Sequence, residues 1–126
     1  MPGSQTVEPN TIVVALGGNA ILQPGQKGTV EEQSANVDKT CRQIAEMVKA
    51  GYRVVITHGN GPQVGNILIQ NAAGQAQVPS LPMDICGAES QGQIGYMMQQ
   101  SLQNQLKDLR MATPVVSLVT QTVVDA

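Results

Sequence analysis

The sequence predicts an α/β fold built around an open, mostly parallel sheet. Two short apolar runs, 11–16 and 52–57, have the length and β-branched composition of buried strands, and each ends at a glycine cluster. Apolar side chains recur at helical spacing between them. A strand, a helix and a second strand within about fifty residues form a right-handed parallel crossover. At 126 residues and 41% hydrophobic content, the chain can bury one core of this kind.

The first strand is expected to be buried on both faces, because its apolar run is continuous over 11–16. Loop residues follow at 23–28. An amphipathic helix is predicted from about Glu31 to Gly51, where glycine suits the C-terminal cap. Its apolar positions are Val37, Cys41, Ile44, Ala45 and Val48. The second strand follows directly.

A second helix is predicted to begin near Pro62 and to end at about Ala73. Proline lacks the backbone N–H and has a fixed φ, which suits the first helical turn. Its predicted buried side consists of Val64, Ile67 and Leu68. The proline-rich stretch 78–82 then interrupts the helical pattern.

A long third helix is predicted from Asp84, a plausible N-cap, toward Leu109. Its apolar stripe consists of Ile85, Ala88, Met98, Leu102, Leu106 and Leu109. The glutamines of 91–105 are interpreted as its polar face. Glycine lowers helix propensity by about 1 kcal/mol, so the glycines within 87–95 indicate close approach by a neighbouring element, which is favoured over contact with a ligand.

A third β-branched run, 115–124, is predicted as a third strand. Three strands make a small sheet, and an apolar edge at its last strand would lack cover. We therefore expect the chain to be the front part of a larger α/β protein.

Composition excludes several classes of function. The net charge is -2 and the seven Lys and Arg residues are scattered, so a nucleic-acid partner is not expected. Cys41 and Cys86 have no partner at the spacing of a zinc site, and two cysteines make no disulfide framework. No apolar run is long enough for a membrane span, and residues 1–10, predicted to be disordered, lack signal-peptide features. A cytoplasmic location is expected.

Two glycine clusters are the candidate binding residues. Residues without Cβ let backbone N–H groups approach a phosphate or carboxylate closely, and an asparagine in each cluster can donate further hydrogen bonds. Either cluster alone could equally be a tight turn with positive φ. Two clusters at the ends of adjacent parallel strands favour a site, because ligands bind at that edge. The candidate substrate- and phosphate-binding residues are Gly17, Gly18, Asn19, Gly59, Asn60 and Gly61.

The other motifs in the sequence are weaker evidence for a functional site. The segment 59–65 is GxGxxxG, one residue longer than the dinucleotide fingerprint, and Lys27-Gly28-Thr29 reverses the P-loop order. His58, the one histidine, has no Ser or Cys nucleophile at a suitable spacing, so a packed or hydrogen-bonded role is favoured over general-base catalysis. No metal site is predicted.

Four segments carry a specific resemblance. They are VALGGNA at 14–20, HGNGPQVG at 58–65, PMDICGAESQGQIGYMMQQ at 82–100 and VTQTVVD at 119–125. Together, in this order and spacing, they resemble the carbamate kinases of the amino acid kinase family. The resemblance runs from about Thr11 to the end of the chain.

The resemblance implies a three-layer αβα sandwich, of which 11–126 would be the N-terminal, acceptor-binding portion. The nucleotide-binding half, with the catalytic lysines, would lie beyond Ala126. It also implies reversible phosphoryl transfer between ATP, with Mg²⁺, and carbamate, giving ADP and carbamoyl phosphate in the arginine deiminase pathway. A homodimer is the implied assembly. Without the nucleotide half, the chain alone is expected to be inactive.

Two alternatives stay open. By the same resemblance, amino acid kinases that act on amino-acid carboxylates have the motif K-x-G-G at the first loop. This chain has Ala15 in the place of that lysine, two positions before Gly17. The alanine argues against such a substrate. The other alternative is a non-catalytic half-domain that dimerises or binds anions.

Overall fold

The computed structural model describes residues 10–125. The predicted disordered segment 1–10 therefore lies, except for Asn10, outside the described residues. The α/β prediction is confirmed, and its first two strands and three helices are all present. The elements are β1 (Thr11–Leu16), a 3-10 turn (Gly18–Ala20), α1 (Val30–Lys49), β2 (Arg53–His58), α2 (Gly61–Gly74) and α3 (Met83–Asp108).

Helix α1 begins at a capping box. The Thr29 hydroxyl accepts a hydrogen bond from the backbone N–H of Glu32 at 3.3 Å, and the Glu32 carboxylate accepts one from the backbone N–H of Thr29 at 3.1 Å. The helix ends before Gly51, whose φ of +99° is the left-handed conformation that glycine adopts most easily. Both ends of the helix are thus set by local sequence.

The two strands pair in parallel. Their register aligns Thr11 with Arg53 and Leu16 with His58, so the strands begin and end together. Helix α1 makes the connection between them, as the crossover pattern predicts.

The core lies between the sheet and helices α1 and α3. Alternate residues of the strands, including Leu16, Val54 and Ile56, pack against it. The buried hydrophobic residues of this core are Ile21, Val37, Cys41, Ile44, Ala45, Ile94, Met97, Met98, Leu102 and Leu106.

The expectation that the first strand is buried on both faces is wrong. Val13 is 66% exposed and Val55 is 48% exposed, because the helices of residues 10–125 cover one face of the sheet and leave the other largely open. A continuous apolar run cannot distinguish these cases, since it shows only that both faces can be buried.

The other two helices depart from prediction in detail. Pro82, and not Asp84, occupies the N-cap of α3, and Asp84 lies in its first turn, where its negative charge still suits the helix dipole. Ile85 is largely exposed, although it was assigned to the apolar stripe. In α2 the predicted apolar side is only half-buried, and the buried residue is Gln63.

The third apolar run is not a strand in the structure. Residues 109–125 form no regular element, and the segment runs along α3 instead of joining the sheet. Gln91 holds it by both groups of its amide: Oε1 accepts from the backbone N–H of Thr120 at 2.8 Å, and Nε2 donates to the Thr120 carbonyl at 3.2 Å. Gln103 makes the corresponding pair with Val115 N–H and the Thr113 carbonyl, at 3.3 and 3.5 Å.

The same contact explains one of the α3 glycines. A Cβ added at Gly95 would lie 3.0 Å from the Cβ of Ser117, whereas one added at Gly87 or Gly92 would meet nothing within 4 Å. Close packing is therefore confirmed at Gly95 and is wrong for the other two. Among residues 10–125, no helix combines the length and apolar composition needed to cross a membrane.

Candidate anion site at the ends of the two strands

The two glycine clusters lie side by side because of the strand register. Leu16 pairs with His58, so Gly17 and Gly59 leave the sheet at the same edge, on neighbouring strands. Neighbouring strands are about 4.8 Å apart, which brings both loops within reach of one small ligand. This edge is the carboxyl end of the parallel pair, the usual ligand position in α/β folds.

The first loop turns sharply. Gly17 is extended, with φ of -72° and ψ of 167°, and its carbonyl accepts from the N–H of Ala20 at 3.0 Å. The Gly18 carbonyl accepts from Ile21 and Leu22, at 3.1 and 2.9 Å. Carbonyl groups of this loop are thus used internally.

The second loop opens helix α2. The helix begins at Gly61, with Asn60 as its N-cap residue and Pro62 within its first two positions. The first N–H groups of a helix have no helical partner and carry partial positive charge. The start of α2 therefore presents donors suited to an anion at the same edge of the sheet.

The loop glycines are not explained by backbone conformation or by packing. Gly17, Gly18, Gly59 and Gly61 all lack positive φ, and a Cβ added at any of them would meet nothing within 4 Å. The tight-turn interpretation with positive φ is therefore wrong for these four positions. Open backbone with no internal neighbour is what a ligand that contacts main-chain N–H groups requires.

The two asparagines differ in their surroundings. Asn60 is half-buried, and its Nδ2 donates to the hydroxyl of Ser90 on α3 at 2.8 Å. Asn19 is exposed and lines a shallow cavity of about 180 Å³ together with Lys39 of α1. Neither Ser90 nor Lys39 was identified from the sequence. Ser90 lies within the distinctive segment 82–100, whereas nothing in the spacing of Lys39 relates it to the loop.

His58 has the hydrogen-bonded role favoured by the sequence. Its Nδ1 lies 3.0 Å from the carbonyl oxygen of Gly59. A carbonyl only accepts, so Nδ1 carries the proton and donates. The histidine thus holds the first residue of the second loop.

The charge of the site is sparse. Lys39 is the one positive side chain among the described residues that line the cavity beside Asn19. The other lining residues are neutral: Asn19, Ala20, Gln23, Asn36, Thr40 and Gln43. Such an arrangement can bind and orient a small anion through backbone and amide donors. It supplies little charge to stabilise a reaction between two anions.

The sequence profile of the amino acid kinase family matches residues 10–119. The chain belongs to the amino acid kinase family. Its fold matches part of a solved structure of this fold, and residues 10–125 provide a parallel strand pair with helices on one face.

Similar proteins extend this family assignment. The carbamate kinase of Pyrococcus furiosus is 59% identical over 116 residues, which are 90% of this chain and 37% of the relative. The carbamate kinase of Giardia intestinalis is 48% identical over 115 residues, 91% of this chain and 36% of the relative. This amino acid kinase chain thus spans less than two fifths of the length of the curated relatives it matches.

Two solved structures match the fold closely. The carbamate kinase from Giardia lamblia bound to citric acid superposes with a TM-score of 0.88 at 48% identity, covering 93% of this chain and 38% of that one. The same enzyme bound to AMP-PNP gives a TM-score of 0.81 at 47% identity, covering 83% and 37% of the two chains. The arrangement of elements in this chain is therefore that of the matching part of the solved carbamate kinases.

Proposed function

We propose that the chain is the acceptor-binding portion of a carbamate kinase. The reaction is the reversible transfer of a phosphoryl group from ATP to a carbamate oxygen, giving ADP and carbamoyl phosphate. The observation that carries the proposal is the pairing of two glycine loops, 17–19 and 59–61, whose open backbone has no structural cause within residues 10–125. The carbamate kinase relatives support the choice of acceptor.

The loops contribute positioning and hydrogen bonds. Phosphoryl transfer involves little covalent chemistry by the protein and depends on orientation and charge stabilisation. Backbone N–H groups of Gly17, Gly18, Gly59 and Gly61 can hold the planar carboxylate of carbamate at the edge of the sheet. Preorganised donors of this kind act on developing negative charge without reorganising during the reaction.

The missing charge has a proposed source outside this chain. Residues 10–125 contain no group of three His, Cys, Asp or Glu side chains that could hold a metal ion, so they do not fit a Mg²⁺ site. We place the magnesium nucleotide and the catalytic lysines in sequence beyond Ala126. The matched part of this chain corresponds to 37% of the Pyrococcus furiosus relative, which supports a further nucleotide-binding portion in the whole protein.

A different acceptor is disfavoured at the first loop. Ala15 stands at the end of β1, two places before Gly17, where the resemblance implies a lysine in kinases of amino-acid carboxylates. A methyl group at this position cannot stabilise a transferred phosphoryl group. Carbamate is therefore the proposed acceptor.

The same proposal includes a cytoplasmic homodimer that works in the arginine deiminase pathway. Large apolar side chains are exposed on α2 and α3, and a subunit interface would cover some of them: Ile69, Met83, Ile85 and Tyr96. Sedimentation equilibrium of the full-length protein measures the oligomeric state.

An enzyme assay tests the proposal. The purified 126-residue chain should form no ATP from ADP and carbamoyl phosphate, whereas the full-length protein encoded by the same gene should form it readily. Robust turnover by the 126-residue chain would contradict the placement of the essential cations. A stop codon directly after Ala126 in the genomic sequence would favour the non-catalytic half-domain that dimerises or binds anions.

A further inference from the structure

We propose that Ser90 is a positioning residue that orients the Asn60 amide so that its oxygen accepts a hydrogen bond from the amino group of the substrate. This inference rests on the proposed function and extends it to the basis of substrate selection. The residues involved are on separate elements, since Asn60 precedes α2 and Ser90 lies in α3.

The direction of the hydrogen bonds follows from the Ser90 hydroxyl. Ser90 is fully buried, at 0% exposure, and its Oγ lies 2.6 Å from the carbonyl oxygen of Gly87. A carbonyl accepts and never donates, so the single hydroxyl proton is used there. The Asn60 atom that lies 2.8 Å from the same Oγ must therefore be a donor, which is Nδ2.

The Asn60 oxygen is left as the acceptor of the second loop. Within residues 10–125, Oδ1 of Asn60 has no hydrogen-bond partner. The two backbone carbonyls beside it are already engaged: that of Gly59 accepts from His58 Nδ1 at 3.0 Å, and that of Asn60 accepts from Val64 N–H at 2.9 Å. A ligand that brings an N–H group to this loop would find Oδ1 available.

Carbamate has the matching chemistry. Its carboxylate accepts from backbone donors, and its amino group donates. Acetate has the same shape but carries a methyl group in place of the amino group, so it would leave Oδ1 desolvated and unpaired. A site built to bond a substrate N–H discriminates against an analogue that lacks it. If Ser90 did not fix the amide, Asn60 could rotate its NH₂ toward the substrate and lose this discrimination.

The test compares two phosphoryl donors in the full-length protein. ATP formation from ADP is measured with carbamoyl phosphate and with acetyl phosphate, and the ratio of their kcat/KM values is the readout. In Ser90→Ala this ratio should fall roughly tenfold, the size expected for loss of one oriented hydrogen bond. The Gly87 carbonyl keeps its place in the helix and alanine favours helix, so the variant should fold.

A matched control is available on the same helix. Ser101 is also buried in α3, and its hydroxyl bonds to Asp38 of α1, away from the loops. Ser101→Ala should leave the ratio of kcat/KM values unchanged, which separates a general effect on α3 from an effect on Asn60. Thermal unfolding of both variants measures the cost to stability. Ser90→Cys, which keeps the size but bonds weakly, should lower the ratio in the same direction.

A spectroscopic measurement is independent of turnover. In the ¹⁵N-labelled full-length protein, the two side-chain amide protons of Asn60 should exchange with solvent at different rates, and Ser90→Ala should equalise them. Amide protons that are unaffected in Ser90→Ala would overturn the orienting role. So would an active enzyme whose ratio is the same in wild type and Ser90→Ala. A wild-type protein that forms no ATP would instead overturn the proposed function, and the substrate assignment with it.

Discussion

At the scale of single residues, the loop glycines are distinguished by what they lack. Neither a left-handed backbone nor a close neighbour accounts for Gly17, Gly18, Gly59 or Gly61. Their identity is therefore free of structural constraint within the described chain, and stability and ligand binding can be measured separately at these positions.

Gly59→Ala should separate the two effects. The free energy of unfolding should stay within about 1 kcal/mol of wild type, because the backbone tolerates alanine there. In the full-length protein the KM for carbamoyl phosphate should rise roughly tenfold, about 1.4 kcal/mol, because the added methyl group would lie at the proposed binding surface. Urea unfolding and steady-state kinetics provide the two measurements.

Gly51→Ala is the matched control. Its φ of +99° lies in the left-handed region, so alanine should cost about 1–2 kcal/mol of unfolding free energy with no change in KM. If Gly59→Ala instead destabilised the protein as much as this control while leaving KM unchanged, the glycines would be structural.

The buried thiol of Cys41 should make the free energy of unfolding depend on pH. Burial raises the pKa of its thiol above the usual 9.0; the hydrogen bond with Ser101 opposes part of this increase, and the charge of Asp38 adds a smaller increase. Its stabilising contribution is complete below pH 9.0 and is lost as pH rises toward the folded pKa, because only the unfolded thiol ionises there.

The unfolding free energy should therefore fall above pH 9.0, by up to about 1.4 kcal/mol per pH unit from this one group. Cys41→Ala should show a shallower decline over the same range. Urea unfolding between pH 8 and pH 11 measures both slopes, and parallel curves for the two proteins would refute the assignment.

At the scale of elements, helix α1 depends on its capping box. Thr29→Ala removes the hydroxyl that accepts from Glu32 N–H, and it should lower the unfolding free energy by about 1 kcal/mol. Glu32→Gln keeps a side chain that completes the box and should cost much less. Thermal unfolding of the two variants decides the point: a large loss in Glu32→Gln with little loss in Thr29→Ala would mean that the charge of Glu32, and not the box, stabilises the helix.

Elements set by local pattern were predictable from the sequence. The strands β1 and β2 and all three helices follow from apolar periodicity, from Gly51 and from Pro62. The third run, 115–124, was not predictable, because its strand-like composition does not show which partner its backbone will find. In the structure Gln91 and Gln103 supply that partner from α3, and glutamine spacing alone indicates only a polar helix face.

The candidate site was predictable only as far as local sequence patterns determine it. Two glycine clusters after parallel strands must meet at one edge, which the register confirms. The Asn60–Ser90 bond joins residues thirty positions apart, one in the loop before α2 and one in α3, so no local pattern reveals it. Binding of an anion by these residues stays a prediction.

At the scale of the whole molecule, one face of the sheet is open in residues 10–125. Val13→Thr on this face should change the unfolding free energy of the 126-residue chain by less than about 0.5 kcal/mol, as for other surface substitutions. Val37→Thr, at a position 1% exposed in the core, should cost about 1–3 kcal/mol because it buries a hydroxyl.

Chemical denaturation of both variants tests whether one face of the sheet is open and the other is buried. A cost at Val13 as large as that at Val37 would mean that the open face is covered in solution. The same pair in the full-length protein extends the test, since cover by further sequence would raise the cost at Val13 alone.

The common end point of β1 and β2 also fixes the distance between the two glycine loops. Because Leu16 and His58 are partners, the span between the two loops is the spacing of one strand pair, about 4.8 Å, and does not depend on the length of α1 or of the loop before it. Donors this close can each form a hydrogen bond of about 2.9 Å to one small planar anion that lies in front of both loops, at the edge of the sheet. The fixed separation of the two loops should therefore favour a small acceptor. Insertions in α1 or in the loop before it should leave this preference unchanged.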